Sequence, residues 1–388
     1  MQYRTLMSPR KRVAKLWLCS LLATSLLAVT PAIAQSLQDV EIPKSPLVLK
    51  AWGSFFVGGE TEEQTTIELG VGLPGNRTVN QMYVQFMLPN VGNRVPVVLV
   101  HGGTLSGKVW ETQPDGRMGW AEYFVRKGYP VYLPDTVSRA RNGFNHAIYN
   151  NVRAGIVAPD LQPNIFRLSD EHAWTHFRFG PEPFVPFADT QFPVEAISEF
   201  AKQAISDLNA SLPSPNPNWQ RLSDLALELG GAVIVGHSQS GRYPLEAALI
   251  NPEGTKALIV MEPGNCNGYT DPQVASLAEK PILIVWGDHI DTPGPILAHG
   301  PEAFASCLDF IDRIQAEGGN ASMLYLPDEL GPGNTHMMMT DKNSDQVADL
   351  LMAWIEENVS NGPPDGVPPG PPNGVPPGPP AGKGNPNN

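Results

Sequence analysis

Cysteine is scarce in this sequence, with 3 in 388 residues, too few for a miniature domain stapled by disulfides. Neither Cys266 nor Cys307 belongs to a Cys-x-x-Cys or Cys/His cluster, so the usual sequence sign of a structural zinc site is missing. Charge is also thin, at 17% of residues, and positive charge is thinnest, with 26 Lys and Arg against 39 Asp and Glu and a formal net charge of -13. Sequence-independent binding to nucleic acid or to an anionic membrane needs clustered cations and is excluded as the main function. Low charge with 41% hydrophobic residues also excludes a disordered or coiled-coil chain. No long hydrophobic run is present: the apolar stretch from about Leu16 to Val29 is too short for a comfortable membrane span.

That stretch belongs to a segment unlike the rest. Arg4, Arg10, Lys11, Arg12 and Lys15 precede it without any acid, and Ala32-Ile33-Ala34 follows as a small-x-small cleavage signature. Residues 1–34 read as a secretory signal peptide, so no stable membrane anchor is expected after cleavage, and the product is periplasmic or extracellular. Loss of its five positive charges takes the formal net charge from -13 to -18. At the other end, residues 361–388 hold 11 prolines and 7 glycines. That composition offers no apolar face to pack and reads as a disordered, extended tail. One domain, residues 35–360, remains between them. In an oxidising compartment a disulfide is the leading reading for its lone pair, Cys266 and Cys307, ahead of free buried thiols and a metal site.

Within the domain, short unbroken apolar runs alternate with helical patterns. The runs are Val95 to Val100, Pro130 to Leu133, Ala232 to Val235, Ala257 to Met261, Ile282 to Trp286 and Ser322 to Leu326, as strands covered on both faces require. Val194, Ile197, Ala201, Ile205 and Leu208 share one helical face, as do Val347, Leu350, Leu351, Trp354 and Ile355. The alternation predicts an α/β fold with a mainly parallel sheet and helices on both sides. Ala51 to Gly58 and Gln81 to Leu88 read as an antiparallel hairpin at its edge.

Chemistry in such a sheet gathers at the carboxyl ends of the strands. There, Ala232 to Val235 runs into Gly236-His237-Ser238-Gln239-Ser240-Gly241, followed by a helix-compatible stretch from Tyr243 to Ile250. A serine on a sharp strand-to-helix turn projects its hydroxyl above the sheet, beside N–H groups that can hold an oxyanion. Ser240 stands where the G-x-S-x-G pattern has its second glycine. With these residues, and with His101-Gly102-Gly103 directly after an earlier strand, the chain resembles the α/β-hydrolase superfamily over nearly all of Ala51 to Val359. The resemblance implies Ser238 as nucleophile and an oxyanion hole from the N–H of Gln239 and that of Gly103 or Thr104.

The family order of serine, acid and histidine selects the base. His146, His172 and His176 precede the serine. His289 and His299 come too early, His101 ends a strand, and His237 beside the nucleophile is expected to point away. His336 lies after the last strand and before the last helix, where the family places its base. For the acid, Asp288 and Asp291 follow the usual strand, whereas Glu262 directly ends the preceding one. A carboxylate off a buried strand is costly to desolvate unless paired. The arrangement resembles a small group of secreted bacterial esterases whose triad acid is a glutamate on that earlier strand. Similar features are Gly53-Ser-Phe-Phe-Val-Gly-Gly and the Trp110 to Phe124 segment with Pro114-Asp-Gly-Arg. Glu262 is therefore preferred over Asp291 and then Asp288. A Cys266 to Cys307 bridge would tie down the loop after Glu262.

The long irregular stretch 136–192 is rich in aromatics, and the resemblance implies a cap over the serine. The expected activity is hydrolysis of a small-molecule carboxylic ester through an acyl-enzyme, without metal or organic cofactor. Amidase, lactonase and thioesterase chemistry share the same apparatus. A non-catalytic binding protein on a hydrolase fold is the reading from another class.

Overall fold

The computed structural model describes residues 37–42, 45–292 and 299–360. The expected signal peptide and Pro/Gly tail lie outside the described residues. The strands are β1 (Leu49–Gln64), β2 (Gly75–Pro89), β3 (Val97–Val100), β4 (Val131–Pro134), β5 (Ala232–His237), β6 (Thr255–Met261), β7 (Ile282–Trp286) and β8 (Ala321–Tyr325). They form one sheet in the order β1-β2-β4-β3-β5-β6-β7-β8. From β4 to β8 every pairing is parallel, while β1 with β2 and β2 with β4 are antiparallel. The expected edge hairpin is present and longer than read, because charged and polar residues continue its pairing to Gln64 and Gly75.

A short turn, α1 (Thr66–Leu69), closes the hairpin, and α2 (Trp120–Arg126) connects β3 to β4. After β4 come α3 (Ala147–Arg153), α4 (Asp170–His176) and α5 (Ile197–Lys202), set in long irregular segments. Helix α6 (Pro217–Glu228) leads into β5, and α7 (Tyr243–Ile250) leads out of it. Helices α8 (Asp271–Leu277) and α9 (Pro301–Ala316) flank β7, and α10 (Leu326–Leu330) and α11 (Ser344–Asn358) close the chain.

The period of two in the strands divides the core. Leu99, Val235, Ile259 and Val285 pack with α2 and α11 on one face. Val98, Val100 and Ile234 pack with α6 on the other, and Leu258, Val260, Ile282 and Ile284 pack there with α8 and α9. Burial on both faces is why these strands read as unbroken apolar runs, each such side chain contributing about 1.5–3 kcal/mol.

The helix expected from Val194 to Leu208 is only partly formed: α5 ends at Lys202. Beyond it the Ile205 N–H donates to the Thr104 carbonyl at 2.8 Å, and Asp207 pairs with Phe166 as an isolated β-bridge. These long-range backbone partners displace the helical ones. The crossover helix into β5 is α6 instead, started by Pro217 in its first turn and capped by Asn216.

Candidate active site

Strand β5 delivers Ser238 into a left-handed backbone conformation with φ 57°, a strain expected of a strand-to-helix elbow. Gly236 makes the turn possible, since a Cβ there would lie 2.2 Å from the Ser240 carbonyl oxygen. Ser240 does more than stay small. Its Oγ accepts from the His237 N–H at 3.2 Å and lies 2.7 to 3.0 Å from the carbonyls of His101, Val100 and His237. The hydroxyl thus pins the elbow to the end of β3.

The loop after β3 is packed against the same elbow. A Cβ on Gly102 would come within 2.9 Å of both Ser238 Cβ and His237 Nδ1. His101 Nε2 accepts from the Thr136 N–H at 3.0 Å, so its Nδ1–H donates to the Gly102 carbonyl at 2.9 Å. Burial, with the charge of Arg139, pushes the His101 pKa down to about 4 and keeps the ring neutral. Arg139 also donates to the Gly102 carbonyl, at 3.0 Å. In a trans peptide the N–H is opposite the carbonyl, so Arg139 and His101 fix the direction of the Gly103 N–H. The Thr104 N–H is aimed elsewhere, at Asp207 Oδ2 3.3 Å away.

Arg139 and Asp207 form an ion pair with side chains 2% and 0% exposed. The Gln239 side chain closes the network, accepting from Arg139 at 2.5 Å and donating to Asp207 at 3.0 Å. Neither charged residue was singled out from the sequence. Their separation of 68 residues and their irregular setting leave no local signal.

His336 is fully buried, and its Nδ1 lies 2.5 Å from Glu262 Oε2. Glu262 leaves β6 with φ 44° and 0% exposure. Its other oxygen accepts from the Gly287 N–H at 2.7 Å and from the buried guanidinium of Arg178. The carboxylate is therefore desolvated but paired and hydrogen-bonded, as burial demands. Asp288 lies elsewhere: its carboxylate accepts from the Gly333 and His289 N–H groups at 2.8 and 2.7 Å and props the loop that carries His336. Asp291 is exposed.

Three more histidines surround His336. His237, expected to point away from the site, instead has its ring 4.6 Å from that of His336, and its Nε2 donates to the His336 carbonyl at 2.9 Å. The Gly102 loop packs against the Nδ1 edge of that ring. His299 and His176 lie 4.3 and 5.8 Å from His336, ring to ring. Burial pushes the pKa of His176 and His237 down to about 4. Burial first, then the charges of His237, Arg178 and His176, lowers His336 well below its ordinary value. It is neutral at pH 7, and its Nε2 has no hydrogen-bond partner among the described residues.

A cavity of about 340 Å³ opens onto Ser238 and Gln239. Phe166, Leu168 and Phe177 give it an apolar wall from the insertion, and Arg242 and Asn265 line it elsewhere. Cys266, next to Asn265, is joined by a disulfide to Cys307 in α9. Two groups bring possible cation ligands within 4.8 Å of one another, Glu262, His299 and His336, and Asp189, Asp288 and His289. In the first, Glu262 already accepts from the Arg178 guanidinium and lies against His336 Nδ1. In the second, backbone N–H groups occupy both Asp288 oxygens.

No family model matches the chain. It is similar to a protein named probable secreted lipase phiG from Fungal sp. (strain ATCC 74256), at 23% identity, covering 82% of this chain and 93% of that one. It also superimposes on a bacterial esterase solved at atomic resolution, with TM-score 0.77 and 42% sequence identity, covering 82% of this chain and 99% of the esterase. With that degree of identity over nearly the full length of the esterase, and an eight-stranded sheet carrying a serine elbow, the chain belongs to the α/β-hydrolase superfamily.

Proposed function

We propose that this carboxylic ester hydrolase works through an acyl-enzyme formed on Ser238. The observation that carries the reading is the 2.5 Å contact between His336 Nδ1 and buried Glu262, in a chain whose Ser238 sits on a strained elbow. His336 Nε2 takes the Ser238 proton as Oγ bonds to the ester carbonyl carbon. The N–H groups of Gln239 and Gly103 hold the resulting oxyanion, since the Thr104 N–H is directed at Asp207. Collapse of this intermediate breaks the bond to the alcohol, which leaves with the proton from His336. Water then repeats the sequence at the acyl carbon, releasing the acid and restoring the serine. Glu262 fixes the His336 tautomer and stabilises the imidazolium that forms.

The two relatives are named an esterase and a lipase, which favours an ester over an amide, lactone or thioester. Residues of the 136–192 insertion act as the cap, a reading supported by Phe166, Leu168, His176 and Phe177 in the cavity wall. Residues 35–360 form the mature domain, and the protein is exported to the periplasm or beyond. The signal-like leader, the disulfide and the name of the fungal relative support that placement. A fluorophosphonate probe tests the nucleophile. We expect labelling of the native protein and none of Ser238→Ala, and an unlabelled native protein with full esterase activity would exclude the serine mechanism.

A further inference from the structure

Three arginines surround the site, and two of them are committed. Arg139 is spent on Asp207 and Arg178 on Glu262, with side chains only 2% and 3% exposed. Arg242 differs: it stands at the N-cap of α7, one helical turn beyond Ser238, its side chain is 32% exposed, and it lines the cavity. Each of its nitrogens makes one contact: Nε donates to the hydroxyl of Tyr269, over whose ring the guanidinium lies, at 3.1 Å, Nη1 donates to Asn265 Oδ1 at 3.3 Å, and Nη2 forms an ion pair with Glu246 at 3.4 Å. A guanidinium has five N–H groups, so one on each terminal nitrogen remains for a ligand.

The surroundings point the same way. Asn265 spends its carbonyl oxygen on Arg242 and on the Asn267 N–H at 3.0 Å, which leaves its NH2 to donate. The adjacent Cys266 disulfide holds this loop on α9, so the two donors are placed by rigid elements. Among the described residues lining the cavity there is no carboxylate, and Glu246 is outside the lining. The lining histidines, His176 and His299, are held neutral by burial. The cavity that Ser238 lines thus combines an apolar wall, one cation and an amide donor.

We propose that the cavity selects esters that also carry a carboxylate, bound by Arg242 and Asn265 a few atoms from the ester carbonyl. The inference rests on Ser238 as the nucleophile and adds the substrate class. The carboxylate can belong to the acyl part, as in the monoester of a dicarboxylic acid, or to the alcohol part, as in an acylated hydroxy acid. Turnover followed by base uptake at constant pH distinguishes them. One arm compares ethyl hydrogen glutarate with ethyl glutaramate, and the other compares 4-acetoxybutanoate with 4-acetoxybutanamide, each amide being the neutral isostere of its carboxylate.

In at least one arm the wild-type kcat/KM for the carboxylate should exceed that for the amide by about tenfold or more, the size of one charge-assisted hydrogen bond. Arg242→Met should bring that ratio to one or below, chiefly through KM, and Arg242→Lys should keep part of it. Ratios at or below one in both arms of the wild type overturn the proposal without recourse to any variant, and so does a ratio unchanged in Arg242→Met. Calorimetry on Ser238→Ala separates the two levels of the argument. Tighter binding of the carboxylate ester in a variant that still hydrolyses it would sink the role of Ser238 while upholding the anion site. Equal binding of carboxylate and amide would sink the anion site.

Discussion

Arg139→Met probes the network behind the elbow, and the structure sets its magnitude. The substitution removes the partner of a fully buried Asp207, leaving that carboxylate with the N–H groups of Asn209 and Thr104 and the Gln239 amide, at 2.8, 3.3 and 3.0 Å. An uncompensated buried charge costs about 3–5 kcal/mol, which corresponds to a melting temperature lower by roughly 4–7 °C in a domain of this size. The Gly102 carbonyl keeps His101 but loses Arg139, and the Gln239 carbonyl oxygen loses its 2.5 Å donor. Full loss of one oxyanion donor costs about 10²–10³ in kcat, so a loosened Gly103 N–H should cost roughly tenfold to a hundredfold, with KM for a neutral ester little changed.

The double variant Arg139→Met/Asp207→Asn decides what the loss means. Removing both charges removes the unpaired one, and replacing a buried pair by neutral groups is often close to neutral for stability. We expect calorimetric stability to recover while kcat stays low, because only His101 then holds the Gly102 carbonyl. A folded single variant with kcat within about threefold of wild type, or a double variant that regains both properties together, would refute an orienting role for Arg139.

Two further expectations concern protonation and the acid. His101, His176 and His237 have pKa values near 4 in the fold, against 6.5 ordinarily. As pH falls through that window the unfolded chain takes up protons that the native rings refuse, so their stabilisation is complete above pH 6.5 and is lost towards pH 4. Each costs about 1.4 kcal/mol per pH unit, and His299 and His336 act in the same direction. Asp341, pushed up to about 7 by burial, opposes one of them, because the fold holds a proton there that the unfolded chain releases. The net loss should be at least roughly 3 kcal/mol per unit between pH 6 and 4.5, read from urea midpoints, and a flat profile would contradict it. For the acid, Glu262→Gln should lower kcat by about 10⁴ whereas Asp291→Asn stays near wild type, and the reverse pattern would transfer the role to Asp291.

Fold class and the position of the serine were legible because their signals are local. Apolar runs mark strands buried on both faces, and Gly236 before Ser238 marks a turn that only a glycine allows. The place of His336 followed from the order of elements, and Glu262 stood out as a carboxylate directly ending a buried strand. The sequence ranked Glu262 ahead of Asp291 and Asp288 but carried no contact to separate them. The tertiary structure brings Glu262 to the His336 ring and leaves Asp288 bracing a loop and Asp291 exposed. Arg139 and Arg178 could not be read at all, since their carboxylate partners lie 68 and 84 residues away and an arginine in irregular chain has no pattern to betray it. The helical spacing from Val194 to Leu208 was real yet insufficient, because the backbone beyond Lys202 found partners in Thr104 and Phe166. By itself the sequence determined which groups could react. Long-range pairing in a desolvated interior, where each buried charge must find its partner, decided how they are held.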